Sequence, residues 1–460
     1  MKDLLVGGLG KGGRGYYGMV LQNNARWAKE KSLSESALVS DLDIWEFPPP
    51  TKRAMEKDMG YSYSKVALVR SNLSKHPWIA VFGNGYDSPS EKAVLIILDA
   101  FTGEEIRRIP TGEERDNGLS SPALVDTDRD GKADWVYAGD LKGNLWKFDI
   151  SSTQAEDWHV FFQKGPTEKP LFTCEGPGGA PQAITAKPAI ARHCSGLGYM
   201  VLWGTGQHLG LPDLENFSVQ TLYGVWDYGD KTANLGVLDR KENSGYLHGL
   251  DSGSFGPSLH LVRQTIEAAS FSTENALEGE VGDNVSYPVA SHTKNPQTYT
   301  WEEKGKSLKD GSTVGWFFDF PEKGERMTED ALIHESAVFA TSFVPACIAS
   351  PCTAGGHSWI NALDLCSGQR LPRIFFDINM NKTLEGAQMS QENTDPGDAL
   401  VVSGTSYEVS RLKIPATAFL IGIFSGSGFE YLLMLDLHGE RMLPMEINKA
   451  ADKIFYWRMR

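Results

Sequence analysis

Four aspartates in nine residues, Asp126-Thr127-Asp128-Arg129-Asp130-Gly131-Lys132-Ala133-Asp134, form the strongest chemical motif in this sequence. The carboxylates fall at loop positions 1, 3, 5 and 9, with glycine at position 6. Alternate spacing turns the first three side chains toward one point. Gly131 permits the bend that aims the Lys132 carbonyl there as well. Five or more oxygens around a hard cation is how an EF-hand loop holds Ca²⁺. The ligand set expected is therefore the side chains of Asp126, Asp128, Asp130 and Asp134 plus the backbone carbonyl of Lys132. Position 12 carries Tyr137 where an EF-hand has its bidentate acid. The competing reading is a solvated acidic turn, but crowded carboxylates without a cation repel one another.

A weaker second candidate runs through Asp377, Asn379, Asn381, Thr383 and Glu385. Its oxygen side chains keep the spacing, yet it lacks the glycine at position 6, and Met380 and Lys382 add no ligand. An asparagine-rich turn explains it equally well.

Other motifs fail on context. Gly8, Gly10 and Gly13 spell a GxGxxG, but the next residues, Tyr16-Tyr17-Gly18-Met19-Val20, read as a strand and not as the helix a dinucleotide site needs. A glycine-rich turn between strands is the better account. His334-Glu335 opens like a zinc-protease motif, but Val338 stands where the second histidine belongs. His193 beside Cys194 lacks two further ligands at suitable spacing. Trp135, Trp146, Trp203, Trp226 and Trp316 lie inside apolar strands, where packing is their expected role.

The elements that must position the acidic loop are strands. Residues 121–125 and 135–138 flank it, so the loop is expected on a β-hairpin. Strand-then-turn segments recur at 78–82, 93–98, 145–149, 201–206, 222–227, 362–364 and 434–436, many closing on an aspartate or a glycine. Asp99, Asp149, Asp364 and Asp436 are read as turn caps. Such repetition at irregular intervals, with little helical periodicity, predicts an all-β propeller. Blades of about 50–70 residues would allow six or seven. Residues 241–296 and 388–397 are polar and read as surface insertions, with a short helix near 262–269.

Composition sets outer limits. A chain of 460 residues with 41% hydrophobic content can bury a sizeable core, and its net charge of −15 argues against a nucleic-acid partner. No apolar run reaches the roughly 18 residues of a transmembrane helix. The start, Met1-Lys2-Asp3-Leu4-Leu5, lacks a signal peptide's apolar stretch. Five cysteines cannot all pair with one another: Cys174, Cys194, Cys347, Cys352 and Cys366. Cys347 and Cys352 would close a short loop with Cys366 close behind, and one or two disulfides would suit an oxidising compartment.

Several stretches together resemble the C-terminal domain of the PilC/PilY-type type IV pilus biogenesis family. They are Gly204-Thr205-Gly206-Gln207, the 220–227 strand, the segment 315–326, the opening glycines with Arg14-Gly15-Tyr16-Tyr17, the run 120–149 and the tail Tyr456-Trp457-Arg458. The similarity spans essentially the whole chain. It implies a modified, quinoprotein-like seven-bladed β-propeller with long inter-strand insertions, residues 1–460 forming one domain at the C-terminal end of a longer exported protein with a signal peptide. It further implies a place at the outer membrane or pilus tip, or in the periplasm. Pilins and minor pilins are the implied partners, with host or abiotic surfaces also contacted. The implied roles are pilus extension against retraction, adhesion and twitching motility. The family's calcium ligands fall on the loop residues already named.

The rival reading is a PQQ-dependent quinoprotein dehydrogenase, which shares the propeller pattern. Those enzymes stack the quinone on a vicinal disulfide, and this sequence has no adjacent cysteines. A generic integrin-like calcium adhesin should repeat the acidic loop in several blades, and only one strong copy is present. The reading carried forward is a non-enzymatic, calcium-binding propeller.

Overall fold

A computed structural model describes residues 3–21, 42–112, 115–228, 237–241, 244–248, 259–270, 288–304, 307–309, 311–345, 356–372, 376, 388–389, 394–395, 399–402, 405–414, 419–426, 429–436 and 439–445. Strands dominate, and among the described residues the helices are three short 3₁₀ turns, Arg53–Met55, Ala155–Asp157 and Leu211–Glu215. No helix among them is long and apolar enough to cross a membrane. The chain, expected as a single domain, divides into two compact units. The first comprises Met1–Cys174, Pro181–Pro188 and Lys231–Val237, and the second the remainder.

The first unit explains why its central strands are apolar without alternation. Strands β1 (Asp3–Gly8), β2 (Tyr16–Leu21) and β3 (Leu42–Phe47) form an antiparallel sheet. β4 (Ala67–Arg70), β5 (Trp78–Gly83), β6 (Val94–Asp99) and β7 (Glu105–Pro110) form a second, and β8 (Ala123–Val125), β9 (Trp135–Gly139) and β10 (Asn144–Asp149) belong to a third. Side chains alternate across a strand. Ile79, Val81, Leu95 and Ile97 therefore pack toward Val136, Ala138, Trp146 and Phe148 of the third sheet. Ala80, Phe82, Val94, Ile96 and Leu98 pack toward Tyr16, Val20, Trp45 and Phe47 of the first. A sheet covered on both faces needs apolar residues at every position, and β6 is buried along its whole length. Truncating one such residue, for example Ile97→Ala, should cost about 2–5 kcal/mol.

In the second unit, Ala189–Arg192, Tyr199–Gly204, Thr221–Asp227 and Thr313–Asp319 pair in that order, and Leu259–Gln264 runs parallel to Thr313–Asp319. A further sheet orders Ile266–Ser270, Val289–His292, Arg411–Ile414, His357–Asp364, Ala337–Val344 and Leu332–His334. The helix expected near 262–269 is thus overturned by two strands. Glu267, Ala268 and Ala269 favour a helix locally, but pairing partners on both sides override that preference. The described parts of 241–296 are likewise largely sheet strands and not only surface loop. Within 388–397, Gln388–Met389 and Thr394–Asp395 pair as a short hairpin.

Trp203, Trp226 and Trp316 are fully buried and Trp146 nearly so, as packing residues should be. The Trp316 indole lies so close to Gly224 that a Cβ there would come within 2.4 Å of the ring. The aspartate turn caps are also present. Asp99 accepts from the Phe101 and Thr102 amides, Asp149 from the Ser151 amide and hydroxyl, and Asp364 from the Cys366 and Ser367 amides. The Asp436 side chain is outside the described residues.

Cys194 and Cys366 form a disulfide across 172 positions. Cys174 is buried, and Cys347 and Cys352 fall outside the described residues.

Candidate metal centre

The acidic loop occupies the hairpin between β8 and β9, as its flanks predicted. Val125 pairs with Trp135 and Leu124 with Val136, and the Asp134 amide closes the ladder onto the Val125 carbonyl at 2.9 Å. Between these anchors the chain turns on its own aspartates. Asp126 accepts from the Arg129 amide at 2.5 Å and from the Gly131 amide at 2.8 Å. Asp128 accepts from the Asp130 amide at 3.1 Å, and Asp130 from the Lys132 amide at 2.9 Å. Two residues take left-handed backbone, Gly131 at φ 87° and Arg129 at φ 68°. Glycine adopts it without strain, and arginine does so at a cost the surrounding hydrogen bonds must offset.

One carboxylate oxygen from each of Asp126, Asp128 and Asp130 lies within 4.8 Å of the others. Ligands on opposite sides of a Ca²⁺ at about 2.3–2.6 Å would be about 5 Å apart, so the spread suits an ion of that size. All three donors are hard oxygens, Asp126 half-buried and the other two exposed. Lys132 approaches by its side chain, with Nζ 2.5 Å from Asp130 Oδ2. That ammonium holds the Asp130 carboxyl below the ordinary aspartate range. The acidic loop therefore carries its own counter-charge.

Asp134 is not brought together with these three. It is buried, and its Oδ2 accepts from the Thr127 amide at 2.8 Å and the Thr127 hydroxyl at 2.6 Å. Its Oδ1 accepts from Asn72 Nδ2 at 3.2 Å. The fourth predicted ligand is thus the tie at the loop's base. Asn72 and Thr127 anchor Asp134, and the motif does not reveal them. Thr127 lies inside the motif and could have been suspected, whereas Asn72 is 62 positions away and carries no local signal. The base is further held by the Ala133 amide on the Arg70 carbonyl at 3.0 Å. Immediately after it, the Trp135 ring covers the ammonium of fully buried Lys147 at 3.6 Å, with Phe161 at 3.9 Å.

The other candidates resolve differently. His193 stacks on Trp226 with centroids 3.9 Å apart, and burial lowers its pKa to about 4, while its neighbour Cys194 is in the disulfide. The second loop, Asp377, Asn379, Asn381, Thr383 and Glu385, lies outside the described residues. Gly8, Gly10 and Gly13 fall at and after the end of β1, in the turn leading to β2, as a glycine-rich connection.

Comparison with known proteins then adds identity. Residues 1–249 match the family model of the PilY1 beta-propeller domain. The type IV pilus biogenesis factor PilY1 of Pseudomonas aeruginosa strain PAO1 is 31% identical over 395 residues, covering 82% of this chain and 30% of that protein. A PilY1 homolog of Xylella fastidiosa strain Temecula1 is 28% identical over 444 residues, 93% of this chain and 25% of that protein. The chain therefore spans less than a third of the length of these curated relatives. The crystal structure of the P. aeruginosa PilY1 C-terminal domain superposes with a TM-score of 0.70 at 25% identity, covering 96% of this chain and 81% of that one. The relatives are named for type IV pilus biogenesis. The all-β fold, the propeller model spanning more than half of the sequence and this shared architecture have one reading: the chain belongs to the PilY1 β-propeller domain family.

Proposed function

We propose that this chain is the calcium-binding propeller of a type IV pilus biogenesis protein, and that the loop sets the balance between pilus extension and retraction. The observation that carries the reading is the convergence of Asp126, Asp128 and Asp130 oxygens within 4.8 Å, on a hairpin of a PilY1-family domain. Ca²⁺ would supply positive charge at the point where these carboxylates face each other, and they would hold it. Asp134 would keep the loop's two ends together through Thr127 and Asn72. Lys132 would neutralise Asp130 when no divalent ion competes. The loop then has two charge states on a rigid base, the kind of element a ligand can bias.

On this reading the protein acts at the outer membrane or pilus tip, or in the periplasm, with pilins and minor pilins as partners. Adhesion to host or abiotic surfaces and twitching motility would follow from the same pilus cycle. The test is a calorimetric calcium titration of the chelator-treated chain beside Asp130→Ala, followed by pilus-retraction assays in cells carrying that substitution in the full-length protein. About one equivalent bound by the wild type and none by the variant, with altered retraction, is the expected result. Equal binding by both, or normal retraction despite lost binding, would overturn the loop's regulatory role.

A further inference from the structure

Exposed large apolar side chains are unevenly placed in this protein. Of nine among the described residues, five fall early in the chain: Leu5, Leu9, Ile44, Met55 and Tyr63. Register shows why this is a surface and not scatter. Leu5 pairs with Met19 and Met19 with Ile44, so the three form one row across β1, β2 and β3. Directly opposed residues share a face. The other face of the sheet, with Tyr16, Val20, Trp45 and Phe47, is the one buried in the core. The Leu5–Met19–Ile44 row thus points away from that core, with Leu5 56% and Ile44 63% exposed.

A groove of about 810 Å³ adjoins this row, lined by Leu9, Tyr17, Met19 and Ile44 among others. Its charged lining residues are Arg14, Glu46, Arg53 and Glu56. Each is already paired within the chain. Arg14 meets Asp87 at 2.7 Å, Arg53 meets Glu46 at 2.5 Å, and Glu56 meets Arg108 at 2.7 Å. The groove offers an incoming chain apolar area and aromatic rings but no unmatched charge. Its complement is therefore uncharged and apolar. A second copy of the chain is disfavoured, because a net charge of −15 makes two copies repel.

We propose that the outer face of β1, β2 and β3 with its adjoining groove docks an uncharged, apolar segment of a protein partner. Contiguous exposed apolar surface beside a formed groove marks an interaction site. β1 and β3 pair only with β2 among the described residues, so an extended segment has sheet edges to add to.

The test is selection of displayed short random peptides on the folded 460-residue chain, followed by fluorescence anisotropy with the enriched sequences. Wild type is compared with Ile44→Asp and with Leu211→Asp, a still more exposed apolar position in the second unit. Melting curves of both variants report folding, and Leu5→Asp replaces Ile44→Asp should the latter unfold. Enriched peptides should be uncharged and apolar, and should lose about tenfold or more in affinity with Ile44→Asp but not with Leu211→Asp. No enrichment, charged consensus sequences, or binding indifferent to Ile44→Asp would each overturn the proposal. So would a wild-type dimer in sedimentation that Ile44→Asp dissociates, which would make the occupant a second copy.

Discussion

Two acidic turns on consecutive hairpins of one sheet have opposite designs. In the loop between β8 and β9, three carboxylates cluster near solvent, one oxygen of each within 4.8 Å of the others. In the turn between β9 and β10, Asp140 is completely buried and accepts five hydrogen bonds. These come from Asn117 Nδ2, the Lys142 and Asn144 amides, Asn144 Nδ2 and Trp146 Nε1, all between 2.8 and 3.0 Å. An acid saturated by N–H donors has no lone pair left for a cation. The comparison teaches that counting aspartates does not separate a candidate metal site from a structural turn, whereas asking where each oxygen's capacity goes does.

The largest effect that would sharpen this contrast comes from Asp140→Ala. Removing the common acceptor breaks five hydrogen bonds around a buried position, and should cost about 3–5 kcal/mol in urea unfolding. Calcium affinity of the surviving folded protein should not change. A mild loss of stability, or a loss of calcium binding in a fully folded variant, would break the contrast. Asp130→Ala should do the reverse: calcium binding falls below calorimetric detection while the melting temperature in chelator moves little. Should that variant unfold, the loop is a structural turn like its neighbour.

Intermediate behaviour is expected at the loop's base. Asn72→Ala and Thr127→Val leave the three clustered carboxylates in place but loosen Asp134. Each should cost about 1 kcal/mol of stability, with a partial loss of calcium affinity, smaller than that of Asp130→Ala. Calorimetry on both variants would check this, and a complete loss would promote Asp134 to a direct participant.

The smallest effect is in pH dependence. Burial raises the Asp140 carboxyl above the ordinary aspartate value, so the folded state holds that proton more tightly than the unfolded chain. Its contribution is therefore greatest below the ordinary value and declines as pH rises from there through the raised one. Asp130, lowered by Lys132, has the opposite sign, contributing above the ordinary value and losing that contribution as pH falls through its folded value. Stability measured across this acid range should lose the declining component in Asp140→Asn. An unchanged slope would remove Asp140 as its source.

Legibility in the sequence followed contiguity. The nine loop residues and both flanking strands are local, and local hydrogen bonds between Asp side chains and amides two to five residues on fold the turn. The strand-closing roles of Asp99, Asp149 and Asp364 were readable for the same reason. What stayed hidden depended on distance along the chain. Nothing near Asn72 announces Asp134 as its partner. The run around Glu267 and Ala268 reads as helix because its pairing partners, among them Val289 and Ala290, lie more than twenty positions away. Spacing along the chain leaves the pairing of the five cysteines open, and the partner of Cys366 is Cys194, 172 positions away.

That bond has a mechanical meaning. A polypeptide pulled from its ends lengthens as its folded parts give way, but the length enclosed between two covalently joined residues stays out of the load path. With 172 positions between Cys194 and Cys366, roughly 600 Å of contour is withheld from extension. In single-molecule pulling, the oxidised chain should reach its full extension short of the reduced chain by that amount. If the proposed pilus role holds, one bond would keep more than a third of this chain out of extension under tension.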